Sequence, residues 1–164
     1  MKMIQWNMLY VLLMFCGLTT YSFAQQITTD LRALSKGADV IVVGKVTQQV
    51  SSWNEDKTRI YTRATLQIND YVKGNNSGNS VIVKYLGGEV GEIGEKYSHM
   101  PRFEDEEEVL VFLMKDEKST DYKVYNGENG KIRVINDSKT GEKVTPSNVQ
   151  VNSLKAQIKN YIND

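Results

Sequence analysis

Residues 86–114 read LGGEVGEIGEKYSHMPRFEDEEEVLVFLM, and the end of that stretch decides the fold. Residues 109–114 contain no polar side chain, so the spacing predicts a strand buried on both faces rather than one with a wet side. Just before it stand five consecutive acids, Glu104, Asp105, Glu106, Glu107 and Glu108. Before those, Gly87, Gly88, Gly91 and Gly94 predict a long irregular loop, because glycines at short intervals favour turns and unusual backbone angles. A long loop tied to a central strand is a common place for a binding surface.

Working outward, the chain predicts short strands joined by turns. Residues 38–50 are apolar on both faces at Val40, Ile41, Val42 and Val43, then alternate after Gly44, where a bulge or bend is expected. Residues 60–72 place Ala64, Leu66 and Ile68 on one face and Arg63, Thr65 and Gln67 on the other. After the KGNNSGNS turn come Val81, Val83 and Tyr85 on one side of a third strand. Residues 122–125 and 131–135 supply two more strands, separated by the Asn126-Gly127-Glu128-Asn129-Gly130 turn. A short helix is expected over residues 28–37. A closing helix after Ser147 carries Val151, Leu154, Ile158 and Tyr161 or Ile162. The expected fold is mainly β: a small antiparallel barrel of about six strands between a short N-terminal helix and a C-terminal amphipathic helix.

The chain has 164 residues, enough for one domain with a sizeable core. Residues 1–24 read as an export signal, with Lys2 at the start, an apolar stretch over 8–18, and Ser22-Phe23-Ala24 before a cleavage site. That stretch is too short for a comfortable membrane span. The expected mature chain is residues 25–164, a single domain that is exported to the periplasm or beyond the cell and carries no integral span. Lipidation at Cys16 fits poorly because Phe15, not a small residue, precedes it. Loss of Cys16 leaves no cysteine, which removes disulfides and thiolate zinc. Removing Lys2 leaves 19 basic residues against 20 acidic ones, a formal charge of −1. No basic cluster stands out, so a nucleic-acid partner is not expected.

Several of these elements together resemble the netrin-like modules, the family that includes the tissue inhibitors of metalloproteinases. The matching pieces are a helix running into Ala38-Asp39-Val40-Ile41-Val42-Val43-Gly44-Lys45-Val46, a strand ending Asp70-Tyr71-Val72-Lys73-Gly74, Val81-Ile82-Val83, and an acidic turn into Val109-Leu110-Val111-Phe112-Leu113. The chain is also similar to exported bacterial domains that share the GGEVG…PRF…EEVLVFL arrangement. The resemblance implies an oligonucleotide/oligosaccharide-binding (OB) type of barrel carrying helices. It does not transfer zinc-chelating inhibition, which uses an N-terminal cysteine, because the expected first mature residue here is Gln25. A shared fold does not by itself supply a function.

No catalytic set, metal site or cofactor is expected. His99 is the only histidine, and no Gly-x-Ser-x-Gly elbow accompanies it. The acids at 104–108 lack the spacing that wraps calcium, and they suit a turn that keeps an apolar strand soluble. The glycines at 88, 91 and 94 are interleaved with Glu89, Glu92 and Glu95, which would repel phosphate. Arg102 and Phe103 are residue types that dominate binding hot spots. The alternative use, which burial statistics favour, has Phe103 plugging the barrel while Arg102 pairs with the acids. Trp53 and His99 are further candidate contacts. The expected function is a non-catalytic binding module that uses the 87–108 loop to hold a protein partner. The alternatives are an exported hydrolase using His99 or the 104–108 acids, and a glycan-binding module using Trp53.

Overall fold

Among the described residues, apolar runs that alternate with turn signals fold into nine strands and two helices. The structure, a computed structural model, describes residues 24–74 and 78–164. Residues 1–23, which hold Cys16 and all of the expected export signal except Ala24, and residues 75–77 of the KGNNSGNS turn lie outside them. Helix α1 is Ala24–Gly37, and the strands are β1 Val40–Trp53, β2 Ile60–Lys73, β3 Ser80–Leu86, β4 Gly88–Val90, β5 Ile93–Glu95, β6 Glu108–Lys115, β7 Tyr122–Val124, β8 Lys131–Asn136 and β9 Lys143–Val144. Helix α2, Val151–Asn163, closes the chain.

Five strands close a barrel in the order β1-β2-β3-β7-β6, with β6 returning to pair with β1. Four seams are antiparallel and the fifth, β3 with β7 at Val83 and Tyr122, is parallel. β8 continues along the edge of β6 that β7 has left, and β9 adds to β8. Gly44 sits at a register shift between β1 and β2, where an added Cβ would stand 2.7 Å from the Gln67 carbonyl oxygen. Only a glycine lets the two backbones approach this closely, and the bulge bends β1 around the barrel.

The apolar run at β6 is explained by two cores that meet across it. Val109, Val111 and Leu113 point into the barrel with Val42, Val46, Leu66, Val83 and Phe103. Leu110 and Phe112 point outward with Ile41 and Val43, under a layer formed by Leu31, Leu34, Leu154 and Ile158 of the helices. β1 and β6 therefore have no wet face over this length, whereas β2 and β3 alternate. Lys73 ties α1 to the barrel. Its Nζ donates to the carbonyls of Ser35, Lys36 and Ala38 at 2.9, 3.0 and 2.6 Å, supplying both the donors and the positive charge that a helix C-terminus lacks.

The loop expected over 87–108 is partly regular: β4 and β5 form a hairpin turning at Gly91, whose φ is 63°. Three-residue strands fall below what periodicity detects. Helix α1 begins at Ala24 rather than 28, and α2 starts at Val151 with Gln150 at its N-cap, not at Ser147. The 126–130 turn contains a 3-10 turn, Gly127–Gly130, entered through Asn126 at φ 61°.

The β6–β7 turn centres on Asp116. Its carboxylate accepts from Lys123 Nζ at 2.9 Å, the Ser119 hydroxyl at 3.1 Å and the Lys118 amide at 3.4 Å. The Lys123 bond is the main reason its carboxyl lies below the ordinary value of 3.8. A carboxylate depressed in the folded state contributes stability that is present above its unfolded value and lost as pH falls through the folded one. Stability of the wild type is therefore expected to fall more steeply below pH 3.8 than that of Asp116→Asn. Parallel acid titrations followed by circular dichroism check this, and equal slopes would remove Asp116 from the acid response.

Candidate functional site

The inward faces of β1, β2 and β3 change character towards one end of the barrel. Val46, Ala64, Leu66 and Val83 fill the interior, but the next inward positions are Gln49, Ser51, Thr62 and Tyr85. Polar residues on the inward phase leave the mouth open, and a cleft of about 560 Å³ lies there. The β4–β5 hairpin and residues 96–103 form its far wall, through Glu89, Glu95, Tyr97, Met100 and Arg102.

The polar groups of the cleft are held in fixed positions. Ser51 and Thr62 hydroxyls share a hydrogen bond of 2.8 Å, and the Thr62 hydroxyl also lies 2.7 Å from the Gly87 carbonyl. Tyr85 donates to Gln49 Oε1 at 2.8 Å. Glu95 Oε2 accepts from the Ile60 amide and the Tyr97 hydroxyl, each at 2.9 Å, which fastens the hairpin to β2. At Gly88 (φ 132°) an added Cβ would stand 2.2 Å from the Thr62 hydroxyl oxygen and 2.5 Å from that of Ser51, so a side chain there would break this pair. Burial pushes the Tyr85 phenol above its usual 10, against the opposing effects of Thr62, the Phe103 backbone and Arg102. Tyr85 therefore stays neutral at physiological pH and serves as a donor rather than a base.

Phe103 forms the floor. The residue is 6% exposed, and its ring packs with the barrel core and meets Tyr85 at a centroid distance of 5.6 Å and a tilt of 47°. The plugging use of Phe103 is thus the one present, with a sliver of ring left facing the cleft. Lys131 stands 4.9 Å from the ring centroid, donates to the Arg102 carbonyl, and pairs with Glu107 at 2.7 Å. This buried knot fixes the backbone on either side of Phe103.

The expected pairing of Arg102 with the acidic run does not occur. Each acid has another partner: Glu104 takes Arg133, Asp105 takes Gln49, Glu106 takes Lys45, Glu107 takes Lys131, and Glu108 takes Lys143. Arg102 is exposed at the cleft wall and, among the described residues, forms no ion pair. No group of three or more metal-ligating side chains gathers among the described residues.

No protein-family model and no curated protein matches the chain. Assignment of the site therefore rests on its geometry.

His99 and Trp53 do not line the cleft. The His99 side chain is 86% exposed, its Nδ1 lies 3.5 Å from Glu128 Oε1, and its carbonyl accepts from the Glu128 amide. Among the described residues no hydroxyl or thiol is hydrogen-bonded to its ring, so the arrangement contains no nucleophile–base pair at His99. Trp53 is half-buried opposite Ile60, next to the β1–β2 turn. Among the described residues no helix is long and apolar enough to cross a membrane.

Gln49, Ser51, Thr62, Tyr85, Tyr97 and Met100 were not candidates on residue type. Their signal was positional. Gln49, Ser51 and Thr62 are polar residues on the inward phase of strands whose other inward residues are apolar, a pattern that marks a wet cavity at one end of a barrel.

Proposed function

We propose that the protein is an exported, non-catalytic binding module that holds part of a protein partner in the barrel-mouth cleft. One observation carries the reading. The cleft sets apolar surface, with Phe103 on its floor and Tyr85 and Met100 on its walls, beside anchored hydroxyls and a guanidinium that forms no ion pair among the described residues. A mostly fixed concavity with a few convergent polar groups is the usual form of a binding site. Residues 86–114 stay at the centre of function in this proposal, with Arg102 as their exposed contact. The netrin-like resemblance is part of the same proposal and is supported by the OB-type strand order with helices packed on β1 and β6.

The test is capture from the envelope and extracellular fractions of the source organism on immobilised protein, in parallel with Arg102→Ala. Because Arg102 is exposed and unpaired, the substitution is expected to change stability by no more than about 0.5 kcal/mol. It is expected to weaken a partner held by the cleft about tenfold, the scale of one charge-assisted contact. A variant that retains every captured protein as tightly as the wild type would remove the cleft from the function. Capture that survives Arg102→Ala but is lost in Trp53→Ala in favour of a glycan signal would select the carbohydrate-binding alternative.

A further inference from the structure

β1 runs on past the end of β6, still paired with β2 from Gln48 with Thr65 to Trp53 with Ile60, while β3 pairs with the other edge of β2 over the same length. On its other edge β1 is covered by β6 only as far as Lys45 and Glu108, with two further backbone bonds joining Val46 to Glu106 and Glu107. From Thr47 to Trp53, no strand of the described residues pairs with β1 on that side.

The direction of the backbone groups follows from the ladder. The Asn54 amide donates to the Arg59 carbonyl at 2.8 Å, so Asn54 faces β2. In an antiparallel pair, alternate residues face the same neighbour. Ser52, Val50 and Gln48 therefore bond to β2, while the N–H and C=O groups of Gln49, Ser51 and Trp53 point to the open side. The far side of β2 keeps the same phase, since the Gly87 amide donates to the Ile60 carbonyl and leaves Tyr61 facing β1 opposite Ser52.

Sheet edges are ordinarily blunted by lysine, proline or a covering element. Residues 47–53, TQQVSSW, contain no charge and no proline, and Val50 stands 52% exposed on the outer face. The inner-face side chains of the same segment, Gln49 and Ser51, line the cleft.

We propose that this edge receives an extended segment of the partner by strand addition. The inference rests on the cleft reading and specifies the form of the ligand. Donor and acceptor pairs that recur every second residue, about 6.8 Å apart, match an extended main chain and little else. Every second side chain of that segment then enters the cleft, and an acidic one facing Arg102 meets the unpaired guanidinium. The side chains between them pass over Val50 and Ser52.

The probe is a ten-residue peptide of alternating threonine and valine with one inward glutamate, together with copies N-methylated at alternate amides in each of the two registers. The peptide is expected to bind the full chain, with one N-methyl register weakening binding about tenfold and the other having little effect, because only one set of amides faces β1. Ser51→Pro removes an edge N–H at a position where proline is tolerated, and it is expected to bind about tenfold more weakly than Ser51→Ala, which loses the same hydroxyl and keeps the N–H. If Ser51→Pro fails to fold, the N-methylated peptides on the wild type still decide. Equal binding of the parent and both N-methylated peptides overturns the inference, as does no peptide binding at all. A wild-type dimer in ultracentrifugation that Ser51→Pro makes monomeric also overturns it, because a second copy then occupies the edge. The Arg102→Ala capture result stands apart from these outcomes and judges the cleft itself.

Discussion

Phe112→Ala is expected to lower the free energy of unfolding by about 3–5 kcal/mol, at the upper end of single core truncations. Phe112 has no exposed surface and lies between the β6 backbone and the helices, among Ile41, Leu110, Leu154 and Ile158. Its neighbours come from strands and helices held in place by other contacts, so the site has little freedom to collapse around the lost ring. Urea titration should show the midpoint falling with the slope unchanged, and the melting temperature should fall by roughly 10 °C. Ile82→Ala, at a position 41% exposed on β3, is the comparison and should cost less than about 1 kcal/mol. Equal losses at the two positions would mean that the helical layer does not seal β6 as described.

The second large effect is expected at Glu107. Its side chain is 3% exposed and pairs with Lys131, itself 14% exposed, at 2.7 Å; it also accepts from the Glu104 amide at 3.0 Å. Attraction between the charges is offset by the cost of taking both from water, so the pair contributes little net stability. Removing one partner is different. Glu107→Ala leaves an ammonium against the Phe103 ring without its counter-charge, and the loss is expected near 3 kcal/mol, the low end for a broken buried pair because Lys131 keeps some water. Replacing both, as Glu107→Leu with Lys131→Met, should recover at least half of that loss. Glu106→Ala, which breaks an exposed pair with Lys45, should cost below about 1 kcal/mol. A double variant no better than Glu107→Ala would show that the knot acts through its backbone bonds rather than its charges.

The parts of the fold that were legible in sequence are those where periodicity reports burial. Val40 to Val43 and Val109 to Leu113 lack polar positions because each packs on a core inside and a core outside. Ala64 and Leu66, and Val81 and Val83, alternate because only one face is inward. The β4–β5 hairpin was hidden because three residues are too few to set a period and its glycines read as loop. Residue type pointed to Arg102 but not to the cleft around it, whose other members are ordinary hydroxyl and amide residues on the inward phase of long strands. The open side of β1 left no trace at all, since alternation tells which face a residue occupies and says nothing about whether a neighbour lies alongside.

The seam between β1 and β6 joins Val40 to Leu113, residues 73 positions apart. By contrast, the β1–β2 hairpin forms between near neighbours, with Trp53 opposite Ile60. A chain emerging from its N-terminus can build that hairpin early, but Val40 to Val43 must wait for β6 before their second edge is covered. Closing so distant a pair carries a large entropic cost that local contacts do not share, which places ring closure late and makes it the slow step. Until then the nascent protein carries an apolar strand with one unpaired edge, the kind of surface that pairs with other chains.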